Sequence, residues 1–596
     1  MAGVRRMSFG VTLRKDGALF RLFAAQARHV AVRLDGDDRD WPMRGDGNGW
    51  FELALAQAQA GMTYRFVIDG KQAVPDPASR FQPRDAAGPS EIVAADAFAW
   101  SDEDWRGRPW REAVIYELHL GTFTRDGTYR AAIGELERLR ALGITAIELM
   151  PLADFVGARN WGYDGVLPFA PDASYGRPED LKALICAAHR LGLMVFIDVV
   201  YNHFGPEGNS LPLYASSFFA KSETDWGQAI DFGGIARQFF IENALYWLTD
   251  YRADGLRFDA VHAIEDASRP HFLEELAQAV RAACRGRHIH LMLENDKNQA
   301  CYLERKADGT PRFYDAQWND DFHHALHVIL TGESDGYYAD YAAAPIESVG
   351  RCLAQGFAYQ GERSPYRDAT RGEPSAHLPP LAFVNFLQNH DQIGNRAFGE
   401  RLRTLAPRAT LAAGIAIQLL APSPPLLFMG EEVGATTPFF FFCDFAGELA
   451  DAVRDGRRRE FARFPAFASP EARARIPDPL SPETFARSNI APAVANPDAE
   501  IAALYRDLLD LRRREIVPRL TGTHSFAAGY EVGNSVLTVR WDLPDGSRLT
   551  LVANLSRDAR ALVATPRGRM LWGTPPEDPS LPPWAVLWAI DARAER

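Results

Sequence analysis

The sequence contains few cysteines and no long apolar run, and both absences narrow the class of protein. Five cysteines occur among 596 residues, and no two of them have the CxxC spacing. Scattered single cysteines argue against a disulfide framework and against a zinc site, and they suit a reducing cytoplasm. The most apolar short stretch, at residues 438–442, is far too short to span a bilayer.

Basic residues are fewer than acidic residues, and the sequence has no long block of basic residues. Lysine and arginine number 65 against 78 aspartate and glutamate residues, which gives a formal net charge of −13. Such a chain is a poor ligand for nucleic acid or for an anionic membrane, whereas a neutral sugar remains a suitable substrate. The start, MAGVRR, lacks the apolar segment of a secretory signal. We therefore expect a cytoplasmic protein with no nucleic-acid or membrane partner.

Three regions of different texture follow one another along the chain. The length exceeds what one core usually holds, so several domains are expected. Residues 1–105 contain short alternating runs separated by Asp-Gly turns, which predict a small, carbohydrate-binding-like β-sandwich. Residues 106–515 alternate apolar runs with helical segments, and residues 516–596 return to short strands. The prediction is a catalytic α/β domain with insertions, flanked by two all-β domains.

Repeated strand–helix alternation in the middle region predicts a parallel sheet. Its length suits a closed (β/α)8 TIM barrel, with an open doubly wound sheet as the alternative. We favour the barrel because acidic residues follow several separate apolar runs, where barrel enzymes place their catalytic groups. Pro178 is predicted to open one helix, with Glu179 and Asp180 in its first turn, and Ser268 is predicted to cap another. No GxGxxG or P-loop pattern follows a strand, so a nucleotide site is unsupported.

Three carboxylates end three short apolar runs of this region. Asp259 ends GLRFD, Glu294 follows HLML, and Asp391 follows FVNFLQNH. Cleavage of a glycosidic bond requires a carboxylate that attacks and another that transfers the proton, and a third can bind the sugar near its cationic transition state. A single aspartate of this kind is more often a surface residue or a helix cap. Three together, each near an Arg or His in an apolar segment, favour an active site.

Four segments resemble the signature motifs of the α-amylase family of glycoside hydrolases. They are DVVYNH at 198–203, GLRFDAVH at 255–262, END at 294–296 and FLQNHD at 386–391, in the family's order. The resemblance implies an N-terminal β-sandwich, a (β/α)8 barrel and a C-terminal β domain. It also implies Asp259 as nucleophile, Glu294 as general acid/base and Asp391 as transition-state stabiliser. Further residues would line the same sugar subsite: Arg257, His203, His390, Asp198 and, as a stacking platform, Tyr163.

Each implied role has a physical reason. Asp259 must be ionised to attack the anomeric carbon, and Arg257, two residues earlier on the same strand face, can hold it charged. Glu294 must carry a proton at neutral pH to act as an acid. Retention of configuration requires the two carboxyl groups to lie roughly 5–5.5 Å apart. No cofactor is needed, and although Asn202 could contribute to a calcium site, no oxygen-ligand cluster is dense enough to predict a metal.

Longer blocks resemble the malto-oligosyltrehalose trehalohydrolases within that family. They include NWGYDGV at 160–166, TDWG at 224–227, GFAYQGERSPYR at 356–367 and NFLQNHDQIGNR at 385–396. The resemblance implies hydrolysis of the α-1,4 bond next to the terminal trehalose of malto-oligosyltrehalose. It also implies a malto-oligosyltrehalose synthase as functional partner. Trp226 and Arg396 are the candidates for contacts with the trehalose end.

Two positions depart from the pattern, and other hypotheses stay open. Val433 stands where the resemblance leads us to expect Trp, and FCDF at 442–445 replaces a polar Thr-Asp-His segment. The chain could instead be a glycogen branching or debranching enzyme or a general α-1,4-glucan hydrolase, although the blocks at 356–367 and 385–396 argue against the first two. A glucan-binding or transporter-associated protein with an inactive barrel is a third hypothesis. Retention of all three carboxylates argues against it.

Overall fold

Eight short parallel strands close into a barrel, which confirms the predicted fold class. The computed structural model describes residues 7–95, 97–224, 227–522, 525–562, 565–577 and 580–592. Each strand pairs in parallel with the next, and the last pairs back with the first, so the open-sheet alternative is wrong. Barrel strands 1 to 8 are, in order, Ile115–Leu118, Ala146–Leu149, Met194–Val199, Gly255–Phe258, His290–Leu293, Ala316–Trp318, Phe383–Phe386 and Pro425–Phe428.

Helices surround the barrel and cover its strands. Every residue of the eight strands is buried, as expected of a parallel sheet with helices on its outer face. The α-helices of this region are Leu120–Phe123, Tyr129–Ile133, Leu136–Leu142, Pro178–Arg190, Ile235–Thr249, Phe272–Ala283, Asp320–Thr331, Pro345–Gln355, His390–Gly394, Leu402–Leu405, Arg408–Leu420, Gly447–Phe461, Pro470–Ala474, Pro482–Arg487, Ala491–Ala495 and Ala499–Leu511. Short two-stranded hairpins in its loops are Ala153–Asp154 with Leu167–Pro171, Phe219–Thr224 with Gly227–Ile230, and Arg363–Ser364 with Ala369–Thr370.

One of the two predicted helix starts is confirmed and the other is wrong. Pro178 is the first residue of its helix, and the carboxylate of Asp180 accepts from the backbone N–H of Arg177, so the first turn carries the expected negative charge. The helix predicted to start at Ser268 starts instead at Phe272, with His271 as its N-cap. The hydroxyl of Ser268 bonds the carboxylate of Asp266 in the preceding loop. Ser268 therefore belongs to a turn around Asp266, which is ion-paired with Arg237, and it does not cap the helix.

The N-terminal region forms two antiparallel sheets that pack face to face. One sheet contains Gly10–Arg14, Gly17–Phe23, Trp50–Leu55 and Arg44–Gly45, and the other contains Asp40–Pro42, Val30–Leu34, Thr63–Ile68 and Gln72–Val74, with Ser90–Glu91 beside Thr63–Ile68. Phe9 joins this sandwich to the barrel domain, because its ring meets Trp50 at 4.9 Å and Phe239 at 5.1 Å. Trp50 therefore packs next to the interface between the sandwich and the barrel domain.

The C-terminal region is a second all-β domain that docks on barrel helices. Its main sheet contains Ala527–Gly533, Val536–Asp542, Arg548–Asn554, Val586–Asp591 and Arg569–Trp572, and Arg560–Ala561 pairs with Ser580–Leu581. The stacked, buried rings of Trp541 and Trp588 lie 5.6 Å apart. Their indole N–H groups donate to the backbone carbonyls of Leu353 and Ala416, at 3.0 and 3.2 Å. None of the described helices is long and apolar enough to cross a membrane.

Candidate active site

Four ionisable side chains of the barrel strands lie in its interior, away from water. Glu117, Glu148, Asp198 and Arg257 belong to strands 1, 2, 3 and 4, and all four are buried. Burial of a charge is costly unless the charge is paired, and Arg257 pairs with Asp198 while Glu117 pairs with His390. Neither carboxyl oxygen of Glu148 has a hydrogen-bond partner among the described residues, and burial, together with Glu117 and Asp198, raises its pKa well above the usual value. The four side chains form the floor of a site at the carboxyl ends of the strands, where barrel enzymes carry out their chemistry.

The guanidinium of Arg257 joins three carboxylates. Its Nη1 donates to Asp198 at 2.7 Å and to Asp259 at 3.0 Å, and its Nη2 donates to Glu294 at 2.7 Å. The side chain is fully buried, and its guanidinium carbon lies 4.1 Å from the centre of the Trp318 ring. Burial opposes the charge of Arg257, but the surrounding carboxylates outweigh it and raise its pKa well above the usual value. One buried cation thus connects the ends of strands 3, 4 and 5.

Both carboxyl oxygens of Asp259, the predicted nucleophile, accept hydrogen bonds. Oδ1 accepts from Arg257, and Oδ2 accepts from the amide of Asn202 at 2.9 Å. The chain turns sharply just after Asp259, because Ala260 has a φ of 38°, in the left-handed region. Such a conformation costs energy in a residue other than glycine, and it persists where surrounding contacts enforce it.

In Glu294, the predicted general acid/base, one carboxyl oxygen accepts two hydrogen bonds and the other accepts none from the described residues. Oε2 accepts from Arg257 and, at 2.9 Å, from the backbone N–H of Ala260. Oε1 has no hydrogen-bond partner among the described residues. The side chain is 20% exposed, against 13% for Asp259. Because Oε2 already accepts two hydrogen bonds, the proton of a general acid belongs on Oε1.

Tyr163 and Asp198 close one wall of the site. The hydroxyl of Tyr163 donates to Oδ2 of Asp198 at 2.7 Å, the oxygen that also accepts from Arg257. Burial and the nearby charge of Asp259 raise the pKa of Asp198 to about 7, although Arg257 acts in the opposite direction. The Tyr163 ring stacks on the His390 ring, with centroids 5.0 Å apart and planes 22° apart. The half-buried Tyr163 ring is therefore fixed in place as a flat apolar surface.

The imidazole of His390 lies beside two carboxylates, those of Asp391 and the buried Glu117. Its Nδ1 is 2.5 Å from Glu117, and its Nε2 is 3.4 Å from Asp391. Burial lowers the pKa of His390, but Asp391 and Glu117 outweigh that effect and raise it to about 9. Glu117 was not among the residues predicted from the sequence. The available signal was an acidic residue within the apolar run AVIYEL of a barrel strand, since a buried carboxylate there needs a charged partner.

We expect the contact between His390 and Glu117 to make the free energy of unfolding depend on pH. The pKa of His390 is about 9 in the folded protein against an ordinary value of 6.5, so its stabilising contribution is complete below pH 6.5 and is lost as pH rises to 9. The expected loss is about 3 kcal/mol in the free energy of unfolding. Denaturant titrations at pH 6.5 and 9 should show this decline in the parent and a much smaller one in Glu117→Gln.

Glu333→Gln is the matched control for that experiment. Glu333 also accepts from a buried histidine, His327, at 2.8 Å, but burial lowers the pKa of His327, so its titration lies below pH 6.5. The control should keep the parental decline between pH 6.5 and 9. An equal decline in Glu117→Gln and the parent would show that Glu117 does not keep His390 charged.

His203 and Asn202 position the predicted nucleophile. His203 Nε2 lies 3.0 Å from the carbonyl oxygen of Tyr163, and its Nδ1 contacts the side-chain oxygen of Asn202. The amide of Asn202 then donates to the Oδ2 and backbone oxygens of Asp259, both at 2.9 Å. The sequence had suggested Asn202 only as a possible calcium ligand. In the described part of the chain, no group of three or more His, Cys, Asp or Glu side chains is arranged to hold a metal ion.

Asp391 is the most exposed of the three predicted catalytic carboxylates, at 37%. It lies in the first turn of the helix His390–Gly394, and its backbone N–H donates to the side chain of Asn389, the N-cap, at 2.9 Å. Its Oδ1 is 3.3 Å from the amide of Asn395. The carboxylate faces the cleft with few protein partners, so it is free to accept hydrogen bonds from a sugar.

Of the two residues predicted to contact the trehalose end, Arg396 is described by the structure and Trp226 is not. Arg396 donates to both carboxylate oxygens of Glu333, at 2.8 and 2.9 Å, and to Glu400 at 3.2 Å. Its guanidinium is thus bound by two carboxylates, and a contact with trehalose stays a prediction. Trp226 lies outside the described residues, between the strands Phe219–Thr224 and Gly227–Ile230.

The two departures differ in exposure: Val433 and Phe442 lie in the packed interior, whereas Asp444 of the segment 442–445 is 24% exposed and pairs with Arg159. Val433 is 7% exposed, and its carbonyl accepts from the backbone N–H of Asp498 at 2.9 Å. Phe442 is fully buried, with ring contacts to His119 and Phe485 at 5.0 Å each. Val433 and Phe442 therefore change the support behind the cleft, and neither side chain is available to a substrate in this structure.

Family models match three parts of the chain. Residues 88–227 match the α-amylase catalytic domain, residues 8–99 match carbohydrate-binding module 48 (isoamylase N-terminal domain), and residues 525–588 match a domain of unknown function, DUF3459. The order agrees with the sandwich, the barrel and the C-terminal sheet seen in the structure.

Characterised relatives match nearly the whole chain. A malto-oligosyltrehalose trehalohydrolase from Deinococcus radiodurans is 44% identical over 92% of this chain and 89% of its own length. Another from Saccharolobus solfataricus is 39% identical over 85% and 87%. A crystal structure of a putative α-amylase from Salmonella typhimurium superposes with a TM-score of 0.94 at 44% identity, covering 99% of this chain and 100% of that one.

Proposed function

This chain belongs to the malto-oligosyltrehalose trehalohydrolase family of the α-amylase glycoside hydrolases, and we propose that it hydrolyses the α-1,4-glucosidic bond next to the terminal trehalose of malto-oligosyltrehalose. The products are free trehalose and a shortened malto-oligosaccharide, and the α-1,1 bond of trehalose stays intact. One observation carries the chemistry: Arg257 donates hydrogen bonds to both Asp259 and Glu294, and Oε1 of Glu294 is left without a hydrogen-bond partner among the described residues.

The first half of the reaction forms a glycosyl-enzyme. Asp259 attacks the anomeric carbon of the glucose next to trehalose, and Glu294 gives its proton from Oε1 to the departing glycosidic oxygen. The bond from the anomeric carbon to that oxygen breaks as the bond to Asp259 forms. Arg257 keeps Asp259 charged until it attacks, and the ring of Tyr163 supplies the stacking surface for the glucose.

The second half returns the enzyme to its starting state. Glu294, now a carboxylate, takes a proton from a water molecule, which attacks the anomeric carbon and displaces Asp259. Two inversions give net retention, so the new reducing end starts as the α-anomer. We assign Asp391 to the hydroxyls of the distorted glucose ring, where its hydrogen bonds strengthen in the transition state, with charged His390 beside it. His203 and Asp198 complete the same subsite in this proposal.

The chemistry of the substrate implies an earlier step. A malto-oligosaccharide must first have its reducing end converted to an α-1,1 linkage, so we propose a malto-oligosyltrehalose synthase as the functional partner. We place both activities in the cytoplasm. The five cysteines are scattered singly along the sequence with no CxxC pair, which supports a reducing compartment.

Product analysis on two substrates tests the proposal. With maltotriosyltrehalose we expect rapid release of intact trehalose, and with maltopentaose we expect attack at least about tenfold slower, a difference of roughly 1.4 kcal/mol in transition-state binding. Proton NMR during the first turnovers should show the α-anomer of the new reducing end. Equal cleavage of both substrates would instead indicate a general α-1,4-glucan hydrolase, and transfer products on amylose would indicate a branching enzyme.

A further inference from the structure

Asp320 lies at the active site, yet the mechanism above leaves it without a role. It follows barrel strand 6 by two residues and opens the helix Asp320–Thr331. Strand 6 lies between strand 5, which leads to Glu294, and strand 7, which leads to Asp391. The end of strand 6 reaches the reaction centre, because the ring of Trp318 lies against Arg257. The Asp320 side chain is half-buried at this edge of the cleft.

The carboxyl group of Asp320 has no protein partner. It accepts no hydrogen bond from any residue that the structure describes. Its neighbour Asp321 shows the contrast, because five groups donate to it: Asn298, Tyr341, Ala358, Tyr359 and Arg371. A polar group that loses water without gaining a hydrogen bond costs free energy. Asp321 is thus a structural residue, whereas Asp320 needs a partner that the protein alone does not supply.

The charges around Asp320 increase the cost of leaving it unpaired. Burial, together with the carboxylates of Glu294, Asp296 and Asp391, raises the pKa of Asp320 well above its usual value, and Arg371 offsets this only in part. A fourth acidic group among three carboxylates is unfavourable in the empty site. Hydrogen bonds from a ligand's hydroxyl groups would satisfy this carboxyl group.

The position of Asp320 determines which part of the substrate it can meet. In the proposed mechanism Tyr163 and Asp198 line the subsite of the glucose that Asp259 attacks, and they lie on the strand 3 side of Arg257, away from strand 6. The leaving group must lie against Glu294, which gives it the proton. Strand 6 is the neighbour of the Glu294 strand on the side away from Asp259. The leaving sugar is therefore the part of the substrate next to Asp320.

We propose that Asp320 binds the leaving trehalose, accepting hydrogen bonds from the vicinal hydroxyl groups of the glucose next to the scissile bond. This inference rests on the proposed function. Two adjacent hydroxyls match the two oxygens of one carboxyl group. The contact forms only with a sugar as leaving group, so Asp320 contributes to the choice of leaving group and leaves the attack by Asp259 unaffected.

The test compares leaving groups in Asp320→Asn. Loss of the hydrogen bonds that the Asp320 carboxyl group makes to the sugar should lower kcat/KM on maltotriosyltrehalose by about 10- to 100-fold. Hydrolysis of α-maltosyl fluoride, whose leaving group has no hydroxyls, should stay within twofold of the parent. The inhibition constant of added trehalose should rise by a similar 10- to 100-fold. The melting temperature should be unchanged or higher, because a desolvated carboxyl group is removed, whereas the control Asp321→Asn should lower it.

Three other results would overturn the proposal. A trehalose inhibition constant and a kcat/KM on maltotriosyltrehalose both within twofold of the parent would show that Asp320 makes no such contact. A shifted pH profile with unchanged trehalose inhibition would show that it acts through the proton of Glu294 instead. An equal loss on both substrates would show a general effect on the site. Trehalose release by the parent enzyme separates this inference from the proposed function. If the parent releases no trehalose, both the proposed function and the role of Asp320 are wrong. If the parent releases trehalose, the variants test the role of Asp320 alone.

Discussion

Asp259→Asn is expected to lower kcat on maltotriosyltrehalose by on the order of 10⁴-fold or more, because it removes the atom that forms the covalent intermediate. The amide is nearly the same size, so the fold should persist, with a melting temperature close to that of the parent. The rate is measured as trehalose released, with active enzyme counted in the parent by a burst of product. Full activity in this variant would refute the assignment of the nucleophile.

Chemical rescue distinguishes the two carboxylates that Arg257 holds. In Asp259→Gly, azide can enter the vacated space and displace fluoride from α-maltosyl fluoride, which gives the β-azide by a single inversion. In Glu294→Gly, Asp259 still forms the glycosyl-enzyme, and azide then attacks from the opposite face to give the α-azide. The stereochemistry of the product is read by NMR. The same anomer from both variants would contradict the separate roles of Asp259 and Glu294.

Replacement of Arg257 by methionine is the second large effect that we expect. The change leaves Asp198, Asp259 and Glu294 facing one another without their shared cation. Removing one partner of a buried ion pair typically destabilises a protein by about 3–5 kcal/mol, because the remaining charge is uncompensated. Activity should fall sharply as well, since Glu294 and Asp259 lose the group that holds them. Denaturant unfolding at pH 7 measures the stability.

A double variant shows whether uncompensated charge causes the loss. Arg257→Met combined with Asp198→Asn removes one of the stranded carboxylates, so it should recover part of the stability lost by the single change. Arg257→Lys keeps the positive charge but cannot bridge three acceptors, and it should fall between the parent and Arg257→Met. A single variant as stable as the parent would show that the cation contributes nothing to folding.

The sequence was sufficient to predict that most residues of the candidate site meet, because they lie within short motifs at strand ends; their roles stay predictions. Arg257 and Asp259 share one strand, and the alternation of that strand places both on one face. The carboxyl ends of parallel strands meet at one edge of a barrel, so Asp198 and Glu294 were expected nearby. The strand–helix alternation, recurring across the middle region, predicted the barrel itself.

The sequence could not show contacts between residues far apart in the chain. Glu117 and His390 are 273 positions apart, and no local pattern links them. Asn202 was visible within a motif, but its bond to Asp259 depends on the pairing of strands 3 and 4. The helical segment after strand 1 is likewise divided, at Gly134, into Tyr129–Ile133 and Leu136–Leu142. Ser268 is a further example, because its hydroxyl bonds the carboxylate of Asp266 and so does not cap the helix.

The two stacked tryptophans of the C-terminal domain limit how far this protein can be treated as a set of exchangeable modules. Trp541 and Trp588 satisfy carbonyl oxygens of two helices that surround the barrel. A barrel cut free of that domain would expose those carbonyls together with the apolar surface around them. A replacement domain would have to cover that apolar surface and either supply donors to these carbonyls or leave room for water beside them.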